Sequence, residues 1–194
     1  MIAIIDYGSG NARSVENALR YLGFESTITS GKKAVATAGK IIFPGVGSFG
    51  NAMKNLERKG LIGPLTKALE NGVPFFGICL GMQVLFEASE ESPGIRGLGI
   101  LEGSVVKFRK GKVPQVGWNL VRPVKKEPFR EGFAYFANSY YPLPEDKGIV
   151  AATSDYGIPF ASAVKRGNIM ATQFHPEKSG AFGLEILARW LDAD

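Results

Sequence analysis

The chain of 194 residues is 45% hydrophobic and 21% charged, which is typical of a globular protein and predicts a single domain over residues 1–194. Its net charge of +5 comes from scattered basic residues that do not alternate with aromatic ones, so no nucleic-acid partner is predicted. One cysteine and one histidine exclude an internal disulfide and argue against a zinc-type metal site. A free thiol, no signal peptide and no apolar run of transmembrane length predict a cytoplasmic protein without membrane contact.

The N-terminal half alternates apolar strands with amphipathic helices. The run at 2–5 predicts a buried strand, and a turn-rich loop at 6–11 follows it. Further along, the pattern predicts a helix carrying Val15, Ala18, Leu19 and Leu22, strands at 24–29 and 41–43, helices at about 50–57 and 64–69, and a strand beginning at 73. This β-α-β order predicts an α/β fold whose central sheet is mostly parallel and flanked by helices.

The pattern changes after Ser92-Pro93-Gly94, where strand-like segments follow one another closely. They lie at 98–108, 113–121, 133–140, 149–153, 160–165 and 168–174. Because helical patterns are missing between these segments, the C-terminal half predicts antiparallel strands and hairpins added to the parallel core. A final amphipathic helix is predicted at 180–191, with Phe182, Ile186, Leu187 and Trp190 on one face.

Between the strand beginning at 73 and the next predicted helix lies Gly77-Ile78-Cys79-Leu80-Gly81. This stretch has the form of a nucleophile elbow, G-x-Nuc-x-G, with cysteine as the nucleophile. The predicted helix, with Met82, Leu85 and Phe86 at helical spacing, would point its free N–H groups at the sulfur and favour the reactive thiolate. A buried structural cysteine also fits this stretch when it is taken alone.

A nucleophilic cysteine needs a base, and the only histidine of the chain is His175. It follows an apolar strand and precedes Pro176 and Glu177. Because Pro176 favours extended backbone at His175, and residues two apart in an extended chain point to the same face, Glu177 is predicted to orient the imidazole. A histidine and a glutamate exposed in a loop are the alternative interpretation of this segment.

Acyl transfer also needs an oxyanion hole, and two backbone N–H groups are candidates. One belongs to Leu80, directly after the nucleophile, and the other to Gly47 in the loop Pro44-Gly45-Val46-Gly47. The same loop opens the pattern G-x-G-x-x-G at 45–50, which is weak evidence for dinucleotide binding. It follows the third predicted strand, and no acidic strand end lies at the expected distance, so dinucleotide binding is disfavoured.

The elbow together with His175-Pro176-Glu177 resembles the class I (triad) glutamine amidotransferase family. Within that family, the chain is most similar to the glutaminase subunits of imidazole glycerol phosphate synthases, from histidine biosynthesis. The likeness spans 1–194 as one amidotransferase domain and includes the stretches 4–11, 43–47, 114–119 and 135–141. Asn138 is a departure, because many relatives carry histidine there.

The resemblance implies a reaction in which Cys79 attacks the side-chain amide of glutamine, ammonia leaves, and water releases glutamate from a thioester. His175 would move the protons and Glu177 would orient it, with no metal and no cofactor. The glutamine-binding positions implied by the family are Gln83, Glu91 and the backbone of Ser139 and Tyr140.

The family also implies a partner. Its ammonia passes to a (β/α)8-barrel cyclase subunit in a heterodimer, where imidazole glycerol phosphate and an aminoimidazole carboxamide ribotide are made. Asn11, Trp118 and Asn119 occupy the positions that meet the partner in this family. Read from the residues alone, they are equally a core tryptophan and two turn asparagines.

Two other functions remain open. The second hypothesis is the glutaminase subunit of another amidotransferase, such as pyridoxal phosphate synthase, which the Pro-Gly-Val-Gly and Gly-Trp-Asn segments disfavour. A non-catalytic regulatory module on the same fold is the third hypothesis, and an intact Cys-His-Glu set disfavours it.

Overall fold

The computed structural model describes residues 1–8, 11–124 and 129–193, so Ser9 and Gly10 of the predicted turn lie outside the described residues. The strands are β1 (Ile2–Ile5), β2 (Ser26–Thr29), β3 (Lys40–Phe43), β4 (Phe75–Ile78), β5 (Ala88–Ser89), β6 (Gly103–Lys107), β7 (Gln115–Pro123), β8 (Gly132–Asn138), β9 (Tyr140–Pro144), β10 (Val150–Asp155), β11 (Pro159–Arg166) and β12 (Ile169–Thr172). The α-helices are α1 (Ala12–Tyr21), α2 (Lys32–Ala36), α3 (Phe49–Lys59), α4 (Ile62–Glu70), α5 (Leu80–Gln83) and α6 (Gly180–Asp192). Short 3₁₀ helices lie at Lys147–Ile149 and Pro176–Lys178.

The main sheet has nine strands in the order β2-β1-β3-β4-β12-β11-β10-β7-β8. The pairs from β2 through β12 are parallel, and those from β12 through β8 are antiparallel. Every residue of β1, β4 and β12 is buried. Strands that are covered on both faces are apolar without alternation, which is why their sequences read as continuous hydrophobic runs. The predicted α/β fold with added antiparallel strands is confirmed.

The position of β12 differs from the prediction. The sequence grouped residues 168–174 with the antiparallel strands, yet β12 pairs parallel with β4 and places Thr172 opposite Ile78. The carboxyl ends of these two strands therefore lie side by side. This parallel pairing brings the residues that follow β12 next to the elbow that follows β4.

Three local predictions were incomplete. The helix after Cys79 is a single turn, because the carbonyls of Val84 and Leu85 accept hydrogen bonds from the returning segment 98–101 instead of continuing a helix. The strand predicted at 133–140 ends at Asn138, and Tyr140 begins β9 of a separate three-stranded sheet in the order β5-β6-β9. The five-residue α2 has too few turns for its period to be visible in the sequence.

Helices cover both faces of the sheet and bury their apolar sides. In α6, three residues of the predicted stripe, Ile186, Leu187 and Trp190, are buried, and the fourth, Phe182, is partly buried against the same core. The centroid of the Trp190 ring lies 5.3 Å from that of Phe76 in an edge-to-face arrangement. Within the described ranges, no helix is both long and apolar enough to cross a bilayer.

Candidate active site

Cys79 lies at a sharp turn between β4 and α5. Its backbone has φ 52° and ψ −103°, and it is the one non-glycine residue with a positive φ among those that the structure describes. Such a conformation is strained for an L-residue and persists only where hydrogen bonds and packing enforce it. Here Cys79 N donates to Thr172 O at 2.7 Å, while the N–H groups of Met82 and Gln83 donate to Cys79 O. The predicted nucleophile elbow is therefore present in the backbone.

The glycines at the elbow are needed because backbone passes very close to them. A Cβ on Gly77 would lie 2.6 Å from Gly81 O, and one on Gly81 would lie 2.1 Å from Phe43 O. A Cβ on Gly45, in the neighbouring loop, would lie 2.5 Å from the Leu80 Cβ. The spacing G-x-Cys-x-G thus reflects steric exclusion on both sides of the cysteine.

His175 lies three residues after the end of β12 and is 1% exposed. Its backbone N–H donates to Tyr135 O at 2.9 Å, and the Ser179 hydroxyl donates to His175 O at 2.6 Å. The predicted pairing with Glu177 is present, at 2.9 Å between Nδ1 and Oε1. The extended backbone predicted at His175 is present, with φ −97° and ψ 95°, but the extended chain does not continue to Glu177. Glu177 lies in the 3₁₀ helix Pro176–Lys178, and this tight turn brings the carboxylate back to the ring.

The electrostatics of the pair favour a charged imidazolium beside a carboxylate. Burial alone lowers the pKa of His175, but the charge of Cys79, its hydrogen bond with Cys79 and the Glu177 carboxylate raise that pKa to about 10. Burial raises the pKa of Glu177, yet hydrogen bonds from His175 and Asn11 and the His175 charge lower it overall. Since Nδ1 faces Glu177, Nε2 is the ring nitrogen left for Cys79.

Asn11 has a place in the site that its sequence context did not reveal. Predicted to face a partner, it is 5% exposed, and its Nδ2 donates to Glu177 Oε1 at 2.7 Å. It therefore fixes the carboxylate that orients His175.

Beside these groups lies a cavity of about 200 Å³. Pockets for drug-sized ligands are typically about 300–1,000 Å³, so this cavity suits a ligand as small as a single amino acid. It is lined by Gly45, Val46, Gly47, Cys79, Leu80, Gln83, Glu91, Pro114, Ala137, Asn138, Ser139, Tyr140, His175 and Lys178. The structure thus brings together the predicted nucleophile and base, both predicted oxyanion positions and all four predicted glutamine-binding positions.

The four predicted glutamine-binding positions differ in their internal contacts. Gln83 is buried, and its Nε2 donates to Tyr140 O at 3.0 Å, so it is not an amide on a helix surface. Glu91 accepts from Phe49 N at 2.6 Å, at the start of α3. The Tyr140 carbonyl accepts a second hydrogen bond from Asn138, which fills both of its lone pairs.

The oxyanion loop, Pro44 to Gly47, is tethered by Tyr7. The Tyr7 hydroxyl donates to Val46 O at 3.0 Å and accepts from Val46 N at 3.2 Å. Gly47 has φ 100°, and a Cβ there would meet nothing within 4 Å. Its glycine is therefore required by backbone conformation and not by lack of space.

Sequence reasoning missed Gln173. This side chain is completely buried, and its Nε2 lies 3.4 Å from Cys79 Sγ. Its position two residues before His175 was the available signal, since alternate residues of a strand share a face. Lys178, which lines the cavity, was also missed.

Trp118 and Asn119, the other two residues predicted at a partner interface, lie on β7. The Trp118 side chain is 59% exposed, so it is not a core tryptophan. Asn119 is half-buried, and its Nδ2 donates to Asp155 O at 2.8 Å. Among the described residues, no group of three or more His, Cys, Asp or Glu side chains is arranged to hold a metal ion.

A cysteine elbow, a buried histidine–glutamate pair and a mixed sheet of this topology define the class of protein. The family model described as "Glutamine amidotransferase class-I" matches residues 3–193, and the chain belongs to that family. A crystal structure described as a glutamine amidotransferase superposes with a TM-score of 0.81 at 22% identity, covering 99% of this chain and 98% of that one. A structure of PurLQS from Thermotoga maritima has a TM-score of 0.80 at 21% identity, covering 98% of this chain and 97% of that one. Both show the same fold.

Relatives with higher sequence identity identify a particular subfamily. The chain is 46% identical to the imidazole glycerol phosphate synthase subunit HisH of Geobacter metallireducens, over 96% of this chain and 95% of that protein. It is 47% identical to the subunit of that name from Desulfitobacterium hafniense strain Y51, over 100% and 96%, and 46% identical to that of Methanothermobacter thermautotrophicus, over 99% and 98%. Within the class I amidotransferases, the chain therefore falls among the HisH subunits.

Proposed function

We propose that this chain is the glutaminase subunit of an imidazole glycerol phosphate synthase and hydrolyses glutamine to glutamate and ammonia in histidine biosynthesis. The observation that carries this proposal is the buried Cys79–His175–Glu177 set beside a cavity of amino-acid size. Full-length similarity to HisH subunits supports the pathway. Residues 1–194 act as one amidotransferase domain, in the cytoplasm and without a metal or cofactor.

The first half of the reaction is acylation of Cys79. The thiolate attacks the side-chain amide carbon of glutamine and forms a C–S bond, and the carbonyl π electrons move onto the oxygen. The N–H groups of Leu80 and Gly47 receive this oxyanion. His175, held protonated by Glu177 and Cys79, gives its proton to the amide nitrogen, the C–N bond breaks, and ammonia leaves.

The second half is hydrolysis of the thioester. Neutral His175 takes a proton from a water molecule, whose oxygen attacks the thioester carbon. Collapse of the second oxyanion breaks the C–S bond, returns the thiolate and releases glutamate. Glu177 stabilises the imidazolium in both halves, and Asn11 keeps the carboxylate in place.

Glutamine binding is assigned to the cavity wall. The Glu91 carboxylate suits the α-ammonium group of the substrate, because charge-assisted hydrogen bonds are the strongest polar contacts available there. Gln83 contributes its carbonyl oxygen, since its Nε2 is already used. Ser139 and Tyr140 contribute backbone groups at the turn between β8 and β9.

The partner is a (β/α)8-barrel cyclase subunit that receives the ammonia in a heterodimer. Val116, Trp118 and Phe133 share the outer face of β7 and β8 and are 62%, 59% and 59% exposed. On the same face, Val116 is paired with Ala137, which lines the cavity. An apolar surface that runs to the rim of a catalytic cavity suits a partner that covers the cavity and accepts its product.

Replacement of the nucleophile tests the proposal. Cys79→Ala is expected to remove glutamine hydrolysis while the fold and partner binding remain, since no other thiol exists in the chain. A glutamine-analogue electrophile should label the wild-type chain once, at Cys79, as read by mass spectrometry. Retained hydrolysis in the purified variant, or a label elsewhere, would contradict the triad assignment.

The partner half of the proposal has a separate test. The Cys79→Ala subunit bound to the cyclase should still support product formation from ammonium salts, because the barrel carries the second chemistry. If the cyclase alone uses ammonium and the pair does not, the modular division of labour is wrong. Absence of glutaminase activity in the wild-type pair would favour a non-catalytic module instead.

A further inference from the structure

A completely buried glutamine, Gln173, contacts the nucleophilic sulfur. Gln173 Nε2 lies 3.4 Å from Cys79 Sγ, within hydrogen-bond reach for sulfur. Gln173 Oε1 accepts from Gln83 Nε2 at 3.0 Å. The same Gln83 nitrogen donates to Tyr140 O. A continuous chain of hydrogen bonds therefore runs from the cavity wall to the sulfur.

In this series of hydrogen bonds, the Tyr140 carbonyl determines which group donates and which accepts at each contact. The Tyr140 carbonyl can only accept, so the Gln83 group that faces it must be the NH₂. The Gln173 group that faces this NH₂ must then be the carbonyl oxygen. The other end of the Gln173 amide, its NH₂, is consequently left for Cys79. Without Tyr140 O the two amides could be flipped, but with it Gln173 is a donor to the sulfur.

A hydrogen-bond donor beside Cys79 Sγ favours the thiolate over the thiol. A thiolate accepts a hydrogen bond strongly, whereas a thiol is a weak acceptor, and the contact is shielded from water. The backbone N–H of Gln173 donates to Ser162 O at 2.8 Å, which holds the residue in the sheet. The amide can therefore act without reorganising when charge on the sulfur appears or disappears.

We propose that Gln173 is a further catalytic residue of this site: its side-chain amide donates to the Cys79 thiolate and, through Gln83, fixes the sulfur relative to the glutamine cavity. This inference deepens the proposed function and rests on Cys79 being its nucleophile. In acylation the Sγ charge disappears into the new C–S bond and the Gln173 hydrogen bond weakens. In deacylation it is restored as the thiolate leaves.

The experiment compares three variants by the pH profile of Cys79 alkylation with iodoacetamide, followed by intact mass. Gln173→Met removes the donor at nearly constant length, and Gln173→Glu replaces it with an acceptor. Ser154→Ala is the control for loss of a buried polar group: Ser154 is 2% exposed and lies on β10, which β11 separates from β12. The single cysteine makes the readout unambiguous.

In Gln173→Met we expect alkylation below the plateau to be about tenfold slower, as for loss of one hydrogen bond to a charged acceptor, with the plateau at high pH retained. In Gln173→Glu the shift toward higher pH should be larger, because a carboxylate repels the thiolate. Ser154→Ala should follow the wild-type profile. The other titratable groups near the sulfur, namely His175, Glu177, Glu91 and Lys178, are unchanged in all three variants.

Two outcomes would overturn the assignment: a Gln173→Met profile that coincides with the wild type, or a Ser154→Ala profile that shifts equally. Ultraviolet absorbance of the thiolate, measured against Cys79→Ala, supplies a second readout that needs no reagent access. In the complex, Gln173→Met should lower kcat and leave KM for glutamine nearly unchanged, and a rise in KM alone would also count against the proposal. Because alkylation requires neither partner nor turnover, failure of the proposed glutaminase function would be seen separately, as an inactive wild-type complex.

Discussion

Two glycine-rich loops line the cavity beside Cys79, and two of their glycines, Gly81 and Gly47, lie in opposite surroundings. The elbow, residues 77–81, is packed so tightly that a Cβ on Gly81 would lie 2.1 Å from Phe43 O. The oxyanion loop, residues 44–47, ends in a glycine around which a Cβ would meet nothing within 4 Å. Close packing requires glycine at Gly81 and also at Gly45, where the oxyanion loop passes the elbow, whereas Gly47 is required by its backbone conformation.

The difference assigns different tasks to the two loops. A nucleophile must stay aligned with its base, and the hydrogen bonds of Cys79 to Thr172, Met82 and Gln83 provide that rigidity. A hydrogen-bond donor to the oxyanion can be turned inward or away. Within the described residues, the hydrogen bonds to the backbone N–H and carbonyl of Val46 come from the Tyr7 hydroxyl. We therefore expect the elbow to be required for glutamine hydrolysis and the oxyanion loop to regulate its rate.

The largest expected effect comes from adding the same methyl group to each loop, which tests whether the two glycines differ in packing. Gly81→Ala should lower the free energy of unfolding by at least about 4 kcal/mol or prevent folding, because its Cβ collides with backbone that cannot move. Gly47→Ala meets open space and should cost only about 1–3 kcal/mol through backbone strain at φ 100°. Chemical denaturation of the two variants measures both. Equal losses would mean that the loops do not differ in packing.

A second prediction concerns activation by the partner. The isolated chain should be a poor glutaminase, since ammonia made without an acceptor is lost. Partner with bound acceptor substrate should raise turnover by about 10²–10³, the effect of one oxyanion donor, as the Val46–Gly47 peptide turns its N–H inward.

Turnover is measured for the chain alone, with the partner, and with the partner and acceptor. Full activity of the chain alone would reject the switch and leave the Cys79–His175–Glu177 assignment untouched.

The contact between the elbow cysteine and its base can be tested through the pKa of His175, the only histidine of the chain. The charge and hydrogen bond of Cys79 contribute to raising the pKa of His175 to about 10 against the effect of burial. Cys79→Ala removes both contributions while burial and Glu177 remain, so the pKa of His175 should fall. A titration of the single imidazole followed by nuclear magnetic resonance measures this pKa directly. A pKa that stays at about 10 in the variant would show that Glu177, not Cys79, holds the proton.

The smallest expected effect comes from releasing the oxyanion loop. Tyr7→Phe keeps the ring, which stacks on Phe43 with centroids 5.0 Å apart, and removes the hydroxyl that bonds Val46. Turnover of the isolated chain should rise about 2–10-fold, because the two hydrogen bonds of the Tyr7 hydroxyl to Val46 no longer oppose rotation of the loop. As a control, the melting temperature should change little. Lower basal turnover would instead mean that Tyr7 holds the loop in its active form.

Much of the candidate site was visible in the sequence because its constraints are local. The glycines beside Cys79 are dictated by a turn of five residues, and His175 and Glu177 are two residues apart. The apolar runs of β1 and β4 likewise record that both faces of the sheet are covered. Local sterics and periodicity therefore sufficed for the fold class, the elbow and the histidine–glutamate pair.

Tertiary structure decided the rest, because those features depend on which strands become neighbours. Only the parallel pairing of β12 with β4 brings His175 and Gln173 to Cys79, across more than 90 intervening residues. The contact of Asn11 with Glu177 and the hold of Tyr7 on Val46 likewise join loops that are far apart in the chain. Amide and hydroxyl side chains carry no periodic signal of their own, so their partners become visible only once the sheet order is known.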